Sequence, residues 1–225
     1  MLICFHVTPA TPSSTDRRRL RGERTRQAIL SHASRLASAE GLEAVSLQRL
    51  ASDLGISKSG LFAHFGSKEE LQLATVAEAA RIFTQEVLKP AFSVPAGIDR
   101  VWALCDSYLS YVERAIFPGG CFFEAAAAEF DSRPGPVRDS VIENRRYWVD
   151  SLARAIRQAQ AAGDVEQSLD PDQLAWELNC LLIGANGTYV IDGGDFVFQR
   201  ARRAISDRLQ RAASGPPAEP ALPLS

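Results

Sequence analysis

The chain lacks the markers of several large protein classes. None of its 225 residues belong to an apolar run long enough to span a bilayer, so no membrane partner is expected. It has three histidines, His6, His32 and His64, and four cysteines, Cys4, Cys105, Cys121 and Cys180. Neither set has the close spacing of a metal site or a disulfide framework. There is no glycine-rich phosphate loop and no Gly-x-Ser-x-Gly nucleophile turn. The common enzyme motifs are therefore missing, and no catalytic residue, metal or cofactor is expected. The apolar opening MLICFHV has no basic residue before it and no clear cleavage site after it, so it does not read as a signal peptide. Scattered thiols suit a reducing cytoplasm. Alternating runs joined by hairpin turns are missing too, which excludes a sheet, and no repeat is found.

What remains is a helical chain with a split charge. Apolar residues make up 46% of the sequence, ample for a core, and the net charge is −2. Residues 17–65 hold nine Lys or Arg against four Asp or Glu, or +5; residues 66–225 hold sixteen against twenty-two, or −6. A basic end joined to an acidic body suits a nucleic-acid reader carried by a separate domain. Periodicity and capping residues mark about nine helices: 23–39, 46–55, 58–65, 67–88, 98–116, 121–130, 137–162, 171–191 and 196–213. Ser46, Ser67 and Asp170 are N-cap candidates, and Lys89-Pro90 is read as the stop of the fourth helix. Residues 8–15 and 214–225, rich in Pro, Ser and Thr or in Pro, read as disordered tails.

The most informative stretch is 46–71, SLQRLASDLGISKSGLFAHFGSKEEL. Ala51, Gly55 and Leu61 stand where a helix-turn-helix needs them. A small residue lets the second helix approach, a glycine takes the positive φ of the turn, and a leucine closes the core. Leu50, Leu54, Ile56 and Phe65 complete that core. Ser67 and Glu70 form a capping box for the next helix. Lys68, in its first turn, is opposed by the helix dipole, and a nearby phosphate would account for it. On the third helix Ser59, Phe62 and Ala63 point outward, flanked by Lys58 and His64, and Gly60 and Ala63 allow close approach of the backbone.

Residues 21–73 thus resemble the DNA-binding domain of the TetR (tetracycline-repressor) family of bacterial regulators. The resemblance implies an all-α dimer with an N-terminal helix-turn-helix over 21–66, preceded by a tail with a basic arm (1–20). A helical domain over 67–213 would bind a small-molecule effector and dimerise, ahead of a C-terminal tail (214–225). It implies phosphate contacts from Ser46 and Lys68, with Lys58 and His64 next, and base or sugar contacts from Ser59, Gly60 and Phe62. Phe62 stands where the family usually has Tyr, so one phosphate bond is missing. Arg17, Arg18, Arg19, Arg21, Arg24 and Arg26 form the arm, expected along the backbone or in the minor groove.

Beyond residue 73 no family motif guides the reading. Aromatics on the fifth to eighth helices suggest an effector cavity, with Trp102, Tyr108, Phe117, Cys121, Phe122, Trp148 and Asn179 as candidates and Glu124 as a further polar group. Cys121 is also a candidate redox or electrophile sensor. Leu174, Leu178, Leu181, Leu182 and Ala185, continued by Ile205 and Leu209, form the apolar stripe expected to face a second copy across a four-helix bundle. Gly184 and Gly187 would let helices come close. The expected function is a cytoplasmic repressor that binds a near-palindromic double-stranded operator as a dimer and is released by a small molecule. The alternative is a protein-interaction adaptor whose helix-turn-helix no longer binds DNA.

Overall fold

The computed structural model describes residues 14–215, with the side chains of 14–18 and of Lys58 excepted. Among the described residues the fold is all-helical, with nine helices and no strand. They are α1 (Ser14–Glu40), α2 (Leu47–Leu54), α3 (Lys58–Phe62) and α4, which runs as Lys68–Phe83, a π segment Thr84–Leu88 and a final Lys89–Ser93. Then come α5 (Ile98–Glu113), α6 (Phe122–Phe130), α7 (Pro136–Ala162), α8 (Pro171–Asp192) and α9 (Phe196–Ala212). An isolated bridge between Val165 and Ala213 clasps the end of α9 to the α7–α8 connection.

The local signals act as the sequence predicts. Ser46 accepts from the Arg49 N–H at 3.2 Å, Ser67 from the Glu70 N–H at 3.0 Å, and Asp170 from the Asp172 N–H at 2.9 Å. Each satisfies an amide that the first helical turn leaves open. Gly55 takes φ 64°, the left-handed conformation a helix C-cap needs.

Two backbone expectations fail for physical reasons. Pro90 does not stop α4. The ladder widens first, so that the Lys89 N–H bonds the Thr84 carbonyl five residues back. Pro90 then falls in the opening turn of a fresh α segment, where its missing N–H costs nothing. The basic arm is not an extended tail either: α1 begins at Ser14 and carries it as helix. The rest of the N-terminal tail, residues 1–13, and the C-terminal tail from residue 216 lie outside the described residues.

One apolar core runs from reader to body. Ile29, Ala33, Leu36 and Ala37 of α1 meet Leu50, Leu61 and Phe65 of the reader, and α4 continues that packing through Leu71, Val76, Ala79 and Phe83. Glu78 of α4, almost wholly buried, ties the same two helices together. It accepts from the Gln27 side-chain amide at 2.7 Å and from Arg81 at 2.7 and 2.8 Å. Burial pushes its carboxyl up, but the bonds from Arg81 and Gln27 outweigh burial and hold it below the ordinary carboxylate value.

Candidate nucleic-acid interface and effector cavity

The reader presents a small, lightly polar face. Ser57 caps α3 by accepting from the Gly60 N–H at 3.1 Å, and its hydroxyl lies 3.2 Å from that of Ser59. Leu61 and Phe65 turn inward, and the guanidinium of Arg26 covers the Phe65 ring at 4.7 Å. Ser59, Phe62 and Ala63, the outward set the sequence predicts, are exposed, and so is Gly60. His64 is half-buried beside the Phe65 ring. Lys58 lies outside the described side chains. Arg21 and Arg24 are exposed on α1.

Lys68 has a partner the sequence did not disclose. Its ammonium is ion-paired with Glu43, whose carboxyl the Lys68 hydrogen bond, helped by Gln72 and Arg133, holds below the ordinary value. The cation at the N-terminus of α4 is thus accounted for without a phosphate, and a DNA phosphate there would compete with Glu43. Arg49 is also engaged, with Asp53 at 3.0 Å and Glu40 at 3.1 Å. His32 reaches Asp53 at 3.1 Å, and that bond, with Arg49, keeps the Asp53 carboxyl below its ordinary value despite the opposing effect of desolvation.

Residues that sequence reasoning missed join reader to body. Glu129, on α6, accepts from the Leu42 N–H at 2.6 Å and the Glu43 N–H at 2.9 Å. Arg35 of α1 donates to the Ile116 carbonyl at 2.8 Å. At Gly119 a Cβ would stand 1.7 Å from the Ser38 carbonyl oxygen, so only glycine fits against α1 there. At the opposite end of α6, Asn186 of α8 accepts from the Cys121 N–H at 2.8 Å. Local sequence carried no signal for these, since their partners lie 65–87 residues away.

A cavity of about 30 Å³ lies between α4, α5, α6 and α7. Phe83, Tyr108, Phe123 and Trp148 give it an aromatic wall, and Cys121, Glu124 and Arg145 add polar groups. Of the predicted lining residues, Tyr108, Cys121 and Trp148 are in place. Phe117 and Phe122 pack on each other in the core, and Trp102 lies partly buried against it, away from the cavity. Asn179 lines an adjoining, more open cavity that shares Glu124, Arg145 and Trp148, and its Oδ1 accepts from Trp148 Nε1 at 3.0 Å, steadying the indole. Cys121 is 2% exposed and burial pushes its thiol up to about 11, so it stays protonated and suits neither redox nor electrophile sensing.

The predicted dimer stripe is corrected. Leu174, Leu178, Leu182, Ala185, Ile205 and Leu209 are buried inside a single chain, and Leu181 is half-buried against the same core. The outer face of α8 is a different seam: Trp176, Cys180, Ile183, Gly187 and Val190, spaced four, three, four and three residues apart. Trp176 is 59% and Val190 50% exposed, with Ile191 and Phe196 exposed nearby.

Two family models match the chain. One, described as bacterial regulatory proteins of the tetR family, matches residues 29–75; the other, a tetracyclin repressor-like C-terminal domain, matches residues 97–205. The chain belongs to the TetR family. It is accordingly a DNA-binding transcriptional regulator and not an enzyme. Solved structures carry the same fold. A TetR regulator from Chloroflexus aurantiacus J-10-FL is 23% identical, with a TM-score of 0.80 over 86% of this chain and 98% of that one. AibR, solved with isovaleryl coenzyme A and operator DNA, is 22% identical, with a TM-score of 0.61 over 80% and 95%. A putative transcriptional regulator from Saccharomonospora viridis, solved with choline, is 21% identical, with a TM-score of 0.69 over 86% and 100%. No curated protein sequence matches the chain. Among the described residues no helix is long and apolar enough to cross a membrane.

Proposed function

We propose that this TetR-family chain is a cytoplasmic repressor that binds a near-palindromic operator as a homodimer and lets go when a small molecule occupies the cavity. The observation that supports this most is a double linkage between cavity and reader. Phe83 and Thr84 of α4 line the cavity, while Lys68 and Gln72 at the other end of α4 hold Glu43. Cys121, Phe123 and Glu124 of α6 also line it, while Glu129 at the far end of α6 caps the Leu42 and Glu43 amides. Both helices therefore run from the effector wall to the same corner of the reader.

The outer seam of α8, with α9 beside it, is where the second copy docks. Its heptad-like spacing fits paired helices, and Gly184 and Gly187 leave room for close approach. Two readers would then enter major grooves roughly 34 Å apart. Ser46, Ser59, Gly60, Phe62 and the exposed arginines of α1 face the duplex, with Lys68 reaching a phosphate at the expense of Glu43. Relatives of the same fold were solved with an acyl coenzyme A and operator DNA, and with choline, in keeping with an effector-responsive reader. The effector acts only through unequal affinity for the two reader spacings. Operator affinity measured with and without a bound small molecule tests this; equal affinities would exclude it.

A further inference from the structure

We propose that the effector is a small, uncharged, largely apolar molecule whose hydrogen-bond acceptor takes up the hydroxyl of Tyr108. This narrows the effector-responsive reading above to a ligand class and rests on it.

Tyr108 is 2% exposed, and its hydroxyl has no partner better than the Cys121 thiol, a weak one. Buried polar groups are nearly always satisfied, so this phenol asks for a use. Tyr111, its ring 6.2 Å away, is buried too, but it lies outside the cavity lining and its hydroxyl meets the Phe122 backbone. Tyr108 and Cys121 both line the cavity. An acceptor placed there would receive the phenolic proton of Tyr108.

The remaining lining excludes a charged ligand. Glu124 and Arg145 are its only ionic groups, and they neutralise each other through bonds of 3.1 and 3.2 Å. An anion would have to displace Glu124, and a cation would have to displace Arg145. The other walls are mainly aromatic and aliphatic, with Thr84 and Asn144 as neutral polar groups. Phe83 stands edge-on to Trp148 at 5.3 Å and to Phe123 at 6.1 Å, which makes a slot for a flat apolar body. At about 30 Å³ the cavity has room for one water. A ring-sized guest must therefore part the walls, and one of these is the π segment of α4, whose widened ladder leaves slack beside Thr84 and Leu88.

The test is calorimetric titration of the full-length protein with four probes of similar size: acetophenone, ethylbenzene, benzoate and phenethylammonium. Acetophenone should bind tightest, with about a tenfold advantage over ethylbenzene, which has the shape but no acceptor. In Tyr108→Phe that advantage should shrink while ethylbenzene binds as before, and in Tyr111→Phe, outside the lining, it should persist. Tighter binding of either charged probe, an advantage that survives Tyr108→Phe, or no binding by any probe would overturn the proposal. Acetophenone that binds as described yet leaves operator affinity unchanged would uphold the ligand class and refute effector control.

Discussion

Replacing Glu129 with alanine removes the clamp by which α6 holds the reader. Its two carboxylate oxygens accept from the Leu42 and Glu43 amides at 2.6 and 2.9 Å. A hydrogen bond to a charged group contributes about 1.5–3 kcal/mol. Glu129 is half-exposed, so the lower end applies, and the pair together supports about 2–3 kcal/mol. In a chain of this length each kcal/mol moves Tm by about 2–4 °C, so Glu129→Ala should lower Tm by about 4–12 °C. Glu129→Gln keeps one acceptor oxygen and should lose about half as much. Amide exchange at Leu42 and Glu43 should quicken in both variants, while amides in α8 and α9 hold their protection. The assay is calorimetry beside exchange read by mass spectrometry. A Tm within about 1 °C of wild type with unchanged exchange at Leu42 and Glu43 would refute the clamp and, with it, the α6 half of the linkage.

Three further outcomes follow from the geometry. Charge on the outer seam of α8, as in Trp176→Glu with Val190→Glu, should give a folded monomer by light scattering, whereas Leu178→Glu or Leu182→Glu should unfold the chain; a stable dimer from the first pair would misplace the interface. The carboxyls of Glu43, Asp53 and Glu78 are held below their ordinary values, 4.5 for Glu and 3.8 for Asp, so their contribution is complete above those values and is lost as the pH falls through the lower folded ones. Tm should therefore drop between about pH 4.5 and pH 3, and a flat profile over that interval would contradict the assignment. Of the described thiols, Cys180 is exposed, whereas burial holds Cys105 and Cys121 up at about 12 and 11. Alkylation should label Cys180 first in the monomeric variant and more slowly in the dimer; prompt labelling of Cys121 in folded protein would reopen its role as a sensor.

The parts of this molecule written in local backbone chemistry were legible in its sequence. Gly55, Ser46, Ser67 and Asp170 act through neighbours a few residues away, so the reader and the helix starts could be placed from them. The faces of α8 could not be assigned that way. The helix is apolar on both sides, and its leucine-rich stripe, the greasier one, serves the chain's own core while the sparser seam of Trp176, Ile183 and Val190 looks outward. Pro90 misled because a π turn absorbs it. Lys68 and Glu43 lie 25 residues apart, and Gly119 and Ser38 touch across 81, so nothing in either segment announces the other. Cys121 lines the cavity, but burial gives it a different chemistry from the one its glycine-rich flank suggested.

Selection of binding sites from a pool of random duplexes, with the full-length protein at near-physiological salt, tests the central claim most directly. The account predicts enrichment of a near-palindrome whose half-sites are centred about one helical turn, or a multiple of it, apart, bound by the wild type and lost by the monomeric α8 variant. Failure to enrich any sequence, or enrichment of a single half-site bound equally well by the monomer, would contradict it.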